Sequence, residues 1–280
     1  MTSQTLLGAR RLREVLARHA VNPRKSLGQN FVIDPNTIRK IVEVSGISAG
    51  DRVLEIGAGA GSLTLALAAV AGSVVAVEMD PRLVPVLAET LGSLGNVEAI
   101  WGDALRLPLG GFGATVLVAN LPYNVATAVV LRVLSEAPKI RRLTVMTQRE
   151  AGERLAAAPG SKVYGQVSVK VAFFGNARIV APVSRRAFYP IPNVDSVLVR
   201  IDRQGETSPH DREWLFTVIR AGFSQRRKTL RNALASIASV DEVATAIAAA
   251  GIAPTTRAEE IDLDAFIALS EALTPIGRDV

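Results

Sequence analysis

Between residues 52 and 147, short apolar runs alternate with stretches of helical spacing, and few folds accommodate that alternation. Residues 52–56, 73–77, 97–100, 115–119 and 142–147 read as strands. Residues 62–70, a stretch capped by Asp80-Pro81 that runs to about Leu91, 125–134 and 148–157 read as helices. Strands joined through helices predict an α/β fold, a mainly parallel sheet with helices on both faces. Upstream, Asp34-Pro35 supplies an N-cap and a first-turn proline for a helix to about Val44. Residues 5–20 read as a basic helix with Leu6, Leu12, Val15 and Leu16 on its apolar side. Residues 167–174 and 194–201 read as late strands, and the polar, breaker-rich 204–211 as a linker. Beyond it only helical spacing remains, at 214–221, 228–235, 240–250 and 263–273. The expected organisation is a basic helical arm (1–25), an α/β domain (26–203) and a small all-α domain (204–280).

A chain of 280 residues, 49% hydrophobic, is long enough for one large domain and a small one. The charge-free stretch 61–77 is split by Gly72-Ser73 and ended by Glu78 and Asp80, so a helix and a strand explain it better than a membrane span. The N-terminus has no apolar signal-peptide core. There is no cysteine, which excludes disulfides, thiolate metal sites and cysteine nucleophiles and fits a cytoplasmic protein. His19 and His210, both in peripheral segments, are the only imidazoles, so no metal is expected. Net charge is +6, with 24 Lys and Arg against 15 acids in residues 1–204 and 8 against 11 in residues 205–280. That balance points to a polyanionic partner, although many solvated arginines would produce it too.

The chemistry gathers where strands end. Glu55-Ile-Gly57-Ala-Gly59-Ala-Gly61 turns the first strand into its helix. Such glycines admit a ligand close to the backbone, and structural glycines in a tight turn would look similar. The spacing is G-x-G-x-G, not the dinucleotide G-x-G-x-x-G. Glu78, ending the second strand, can accept ribose hydroxyls, and Asp103, after the third, can accept from an adenine amino group. After the fourth strand comes Asn120-Leu121-Pro122-Tyr123. Proline biases Leu121 toward an extended backbone, so the Asn120 side-chain oxygen and the Leu121 carbonyl can both face outward beside the Tyr123 ring. Two acceptors and a flat face suit a planar base bearing an amino group; a strand-ending turn with an Asn cap is the plainer alternative. All these elements fall at the carboxyl ends of strands, where open α/β sheets bind ligands. Together they point to S-adenosyl-L-methionine rather than a nicotinamide dinucleotide.

Seven segments give the chain a family resemblance: PRKSLGQNF (23–31), VLEIGAGAGSLT (53–64), VEMD (77–80), GDAL (102–105), NLPYNVAT (120–127), FYPIPNVDS (188–196) and FSQRRKTLRNAL (223–234). It resembles the ribosomal RNA adenine dimethyltransferases, specifically the bacterial small-subunit (16S) branch. Ala58 stands where that family often has proline, and both fit a turn between glycines. The resemblance implies a Rossmann-like class I methyltransferase sheet. It implies cofactor contacts at Asn30, Val32, Gly57, Glu78, Asp103 and Asn120, with Gly59 in the same turn and Gln29 a neighbour of the methionine end. Without it, Gln29-Asn30 reads as an ordinary polar loop. It also implies dimethylation of two adjacent adenosines in a 3′-terminal hairpin loop of 16S rRNA, within a small subunit still being assembled.

For that reaction the target base must leave its stack. Tyr123 is expected to stack on one face of it and Phe188 on the other; core packing at a strand entrance is the competing reading for Phe188. Asn120 and the Leu121 carbonyl would hold the amino hydrogens, so positioning supplies most of the catalysis. Candidate phosphate contacts are the N-terminal basic helix, Arg141-Arg142, Arg149, Arg154, Arg185-Arg186 and the dense cluster Arg226, Arg227, Lys228 and Arg231. Singly, each would equally suit a solvated surface. The alternatives are the related large-subunit (23S) enzyme that confers macrolide resistance and a non-catalytic ribosome assembly factor. A monomer is expected.

Overall fold

A computed structural model describes residues 6–24, 27–205, 211–225 and 227–273. The elements run α1 (Ala9–Arg18), β1 (Phe31–Val32), α2 (Pro35–Ser45), β2 (Arg52–Ile56), α3 (Ser62–Ala68), β3 (Ser73–Glu78), α4 (Val84–Leu91), β4 (Val97–Trp101), β5 (Val116–Asn120), α5 (Ala126–Glu136), β6 (Arg142–Gln148) and α6 (Arg149–Leu155). There follow α7 (Gln166–Phe174), β7 (Gly175–Val183), β8 (Phe188–Tyr189), β9 (Ser196–Arg203), α8 (Arg212–Gly222), α9 (Leu230–Leu234), α10 (Val240–Ala249) and α11 (Leu263–Ala272). No helix among the described residues is long and apolar enough to cross a membrane.

Seven strands form one sheet in the order β4-β3-β2-β5-β6-β9-β7. The strands from β2 to β6 pair in parallel, and β9 runs antiparallel to β6. In β2, β3 and β5 both alternating sets of side chains are buried, as they must be in a parallel sheet with two covered faces. One covering layer joins Ile38 and Ile41 of α2 and Leu63 and Leu67 of α3 to Val53, Val74, Val116 and Val118. The chain steps outward from β2 through β3 to β4, then returns to the other side of β2 as β5. That reversal makes the gap between the ends of β2 and β5 the topological switch point, where such sheets bind ligands.

The basic N-terminal helix is packed down. Leu12, Val15 and Leu16 join Leu83, Val86, Leu87 and Leu91 in one cluster, while Arg18 and His19 both meet Glu89. In a separate two-stranded sheet, β1 pairs antiparallel with β8, matching Phe31 to Tyr189 and Val32 to Phe188.

The molecule divides into two compact units, Met1–Gly152 with Asn176–Arg203, and Glu153–Gly175 with Gln204–Val280. The second is helical and owes its core to Leu215, Val218, Ile219, Leu230, Leu234, Val243, Phe266 and Leu269. It takes in Glu153–Gly175, which the sequence reading assigned to the α/β domain. Residues 167–174, read there as a strand, are the helix α7. Their alternating valines carry strand propensity, but Val169 is buried in the helical core with Leu215, and context overrides propensity.

Candidate active site

A cavity of about 320 Å³ opens at the switch point. Its lining brings together Gln29, Asn30, Gly57, Gly59, Glu78, Asp103 and the whole of Asn120-Leu121-Pro122-Tyr123. These residues come from the entry loop, the ends of β2, β3, β4 and β5, and the turn that opens α5. Each strand end delivers one chemical group because the parallel strands end side by side.

The glycine turn is tied to β3. The N–H groups of Gly57 and Ala58 donate to the Val77 carbonyl (2.8 and 3.1 Å), and that of Gly59 donates to Glu78 Oε2 (2.8 Å). These donors are therefore spent, and the glycines contribute close approach instead. Gly59 has φ +60°, and a Cβ there would lie 2.9 Å from the Phe31 ring. Glu78 Oε1 also accepts from the N–H groups of Met79 and Asp80, both at 2.9 Å. Three of the roughly four acceptor positions of the carboxylate are thus taken, leaving about one toward the cavity. Burial raises the Glu78 pKa above the usual carboxylate value, against the pull of those N–H groups. Asp103 is more open: its Oδ1 accepts from Leu105 N–H at 2.9 Å, and Arg106 stands 3.8 Å from Oδ2.

Asn120 is oriented by the entry loop. Its Nδ2 donates to the Asn30 carbonyl at 2.9 Å, which commits the nitrogen and leaves the amide oxygen to accept from a ligand. The Leu121 N–H is spent on the Met146 carbonyl (3.1 Å), extending the sheet by one rung. The Pro122 carbonyl accepts from Val125 and Ala126, so the chain turns directly into α5. Gly28, at φ +64°, lies so close to Pro122 that a Cβ would stand 3.0 Å from the proline ring. Tyr123 is half-buried, and its hydroxyl lies 2.9 Å from Ser196 Oγ. Burial raises its pKa, so the phenol stays neutral.

Two expected site residues, Phe188 and Val32, lie outside the cavity lining, and a third, Gln29, lines it with its side chain engaged. Phe188 is 1% exposed and packs in the core with Val32, Ile38 and Ala187, not in the cavity lining. Its ring faces inward because Val32↔Phe188 pairing in the short β1–β8 ladder turns that side toward the sheet. Val32 is likewise buried and outside the lining. Gln29 lines the cavity, but both ends of its side chain are engaged: Oε1 accepts from Arg24 N–H and Nε2 donates to Asp80 Oδ2, each at 2.8 Å. It latches the entry loop to the end of β3. Phe31, Met79 and Asn124 also line the cavity and were not anticipated; a two-residue strand and single loop residues carry no periodic signal.

The basic candidates divide in the same way. Arg141 binds the buried Asp51 at 2.8 Å, and Arg142 binds Asp202 at 2.7 Å and the Ser45 carbonyl at 3.1 Å, so both serve the fold. Arg149, Arg185, Arg227, Lys228 and Arg231 are exposed. Arg226 lies outside the described residues. Among the described residues no group of three or more His, Cys, Asp or Glu is arranged to hold a metal.

The family model described as "Ribosomal RNA adenine dimethylase" matches residues 20–274. "Ribosomal RNA small subunit methyltransferase A" of Nocardia farcinica is 48% identical, over 95% of this chain and 94% of its own. The protein of the same name from Geobacillus thermodenitrificans is 42% identical, over 96% and 97%. Among solved structures, a dimethyladenosine transferase from Plasmodium falciparum shares the fold with a TM-score of 0.76 at 24% identity, covering 85% of this chain and 95% of that one. The 23S rRNA methyltransferase ErmE aligns with a TM-score of 0.68 at 27% identity, covering 87% and 99%.

Proposed function

The chain belongs to the ribosomal RNA adenine dimethylase family, and from that premise we propose that it methylates adenosine in small-subunit ribosomal RNA, with S-adenosyl-L-methionine as the methyl donor. The observation that carries this reading is one cavity lined at once by the glycine turn, Glu78, Asp103 and Asn120-Leu121-Pro122-Tyr123. The small-subunit relatives at 42–48% identity favour that RNA over the large-subunit RNA, since ErmE is only 27% identical.

The donor set suits this cofactor. Glu78 offers its remaining acceptor position to a ribose hydroxyl, and the partly exposed Asp103 carboxylate can take the adenine amino group. Gly57 and Gly59 let the cofactor lie against bare backbone. When bound, S-adenosyl-L-methionine supplies a methyl already activated on a sulfonium.

The protein's task is then to prepare the nucleophile. An adenine amino nitrogen shares its lone pair with the ring. The Asn120 amide oxygen and the Leu121 carbonyl accept its two hydrogens and favour a more pyramidal nitrogen. The Asn30 carbonyl keeps the Asn120 amide from flipping its donor end into the cavity. The neutral Tyr123 ring forms a stacking wall for a base drawn out of its stack. No strong base is needed before transfer, so catalysis rests on preorganised hydrogen bonds and positioning.

The finer reading is N6,N6-dimethylation of two adjacent adenosines in a 3′-terminal hairpin loop of 16S rRNA, by a cytoplasmic monomer that binds the immature small subunit and aids its biogenesis. Arg149, Arg185, Arg227, Lys228, Arg231 and Arg226 are the proposed phosphate contacts. The test is nucleoside analysis of small-subunit RNA incubated with the protein and S-adenosyl-L-methionine. Dimethyladenosine is expected; monomethyladenosine alone would limit the reading to one transfer, and unmodified adenosine would overturn it.

A further inference from the structure

Ser196 opens β9 opposite Gln148 and is completely buried. A buried hydroxyl is costly unless it is bonded, and this one lies 2.9 Å from the hydroxyl of Tyr123. The phenol itself sits at the cavity wall, 73 positions earlier in the chain. The segment leading to the serine is held from two sides. The carboxylate of Asp195 accepts from Arg185 N–H at 2.9 Å, and the Asp195 carbonyl accepts from Arg149 N–H at 3.2 Å. Ser196 is thus a fixed point on the sheet, and the Tyr123 ring is tied to it by its far end.

We propose that Ser196 is a positioning residue for the target base: through this hydrogen bond it fixes the direction of the Tyr123 side chain and holds the ring at the cavity wall. This rests on the reading of Tyr123 as a stacking surface. A tyrosine ring anchored only at Cβ turns about two side-chain torsions and can swing into an open cavity. Tethering the hydroxyl holds the first torsion before the base arrives; the second leaves the oxygen in place and is restrained only by the packing of the half-buried ring. The ring therefore cannot swing into the cavity, and less ordering remains to oppose binding. An alanine would fill the serine's place in the strand equally well; what it lacks is the tether.

The test uses the full-length protein in four variants: Ser196→Ala, Tyr123→Phe, the double variant and Tyr123→Ala. Methyl transfer to small-subunit particles gives kcat and KM, and calorimetry gives the affinity for S-adenosyl-L-methionine. Ser196→Ala and Tyr123→Phe should each lower kcat/KM for the RNA by about threefold to tenfold, the worth of one hydrogen bond. Cofactor affinity should stay within about twofold, and the double variant should be no worse than either single one. A wild-type rate in Ser196→Ala, or losses that multiply in the double variant, overturns the proposal. Full activity in Tyr123→Ala overturns the stacking reading beneath it, whereas an impaired Tyr123→Ala beside an unimpaired Ser196→Ala overturns only the positioning role. If Ser196→Ala does not fold, Tyr123→Phe removes the same bond from the half-buried side and decides the matter with the same expected loss.

Discussion

Asn120 ends β5 and Glu55 lies in the neighbouring β2, and the two illustrate opposite uses of a polar side chain. The amide of Asn120 is held by the Asn30 carbonyl with its oxygen left to accept. Asn120→Ala should therefore abolish methyl transfer while changing cofactor affinity by no more than about tenfold, because positioning alone is lost. Single-turnover assays beside calorimetry measure both, and full activity would remove this residue from the mechanism. Glu55 is buried in the strand before the glycine turn, and burial, aided by the nearby Glu78, pushes its pKa from 4.5 up to about 8. As pH rises through that window the unfolded chain loses the proton while the folded one keeps it. The unfolded state then binds fewer protons, and stability falls with rising pH from about 4.5 to about 8. Glu55→Gln should flatten that slope and be relatively more stable than the parent at pH 8 than at pH 5, by on the order of a few kcal/mol. Denaturant titrations at the two pH values test this; equal slopes in both proteins would contradict it.

At the scale of elements, the glycine turn and the entry loop share one surface. Gly59→Ala would force a Cβ at φ +60° to within 2.9 Å of Phe31 and push the ring aside. Cofactor affinity should fall by at least about tenfold with the fold retained, since the strain lies at the cavity and the sheet is untouched. Unchanged affinity by calorimetry would show that the turn does not receive the cofactor. The same elements show what was legible in the sequence. The strands β2 to β6 and the helices between them follow from apolar spacing and from Asp-Pro starts, because those signals lie within a few residues of one another. The strand ends then led to Glu78, Asp103 and Asn120 in one cavity. What was not legible depends on distant partners. The β1–β8 ladder joins residues more than 150 positions apart, and it turns Phe188 into the core. Residues 167–174 alternate like a strand yet fold as part of the helix α7 because the helical unit offers them a partner. Gln29 lines the cavity as a cofactor neighbour would, but its bond to Asp80, 51 positions away, could not be read from the sequence.

At the scale of the whole molecule, a basic chain carries a cavity at the switch point and a set of exposed cations, which the proposed function gives to a nucleoside cofactor and to RNA phosphates. Lys228 and Arg231 are exposed in the helical unit, with Leu230 and Leu234 beside them holding its core. Replacing both by Ala should weaken RNA binding, and should lower the dependence of log affinity on log salt by up to about two, because fewer counterions are released. Filter binding across a salt series measures it, and an unchanged slope would place the phosphate contacts elsewhere. The central claim is a small-subunit adenosine methyltransferase. It is tested most directly by transfer of labelled methyl from S-adenosyl-L-methionine to purified small and large ribosomal subunits from cells lacking this protein, with nucleoside analysis of each RNA. The account predicts dimethyladenosine in the small-subunit RNA alone. Label in the large-subunit RNA, or in neither, would contradict it.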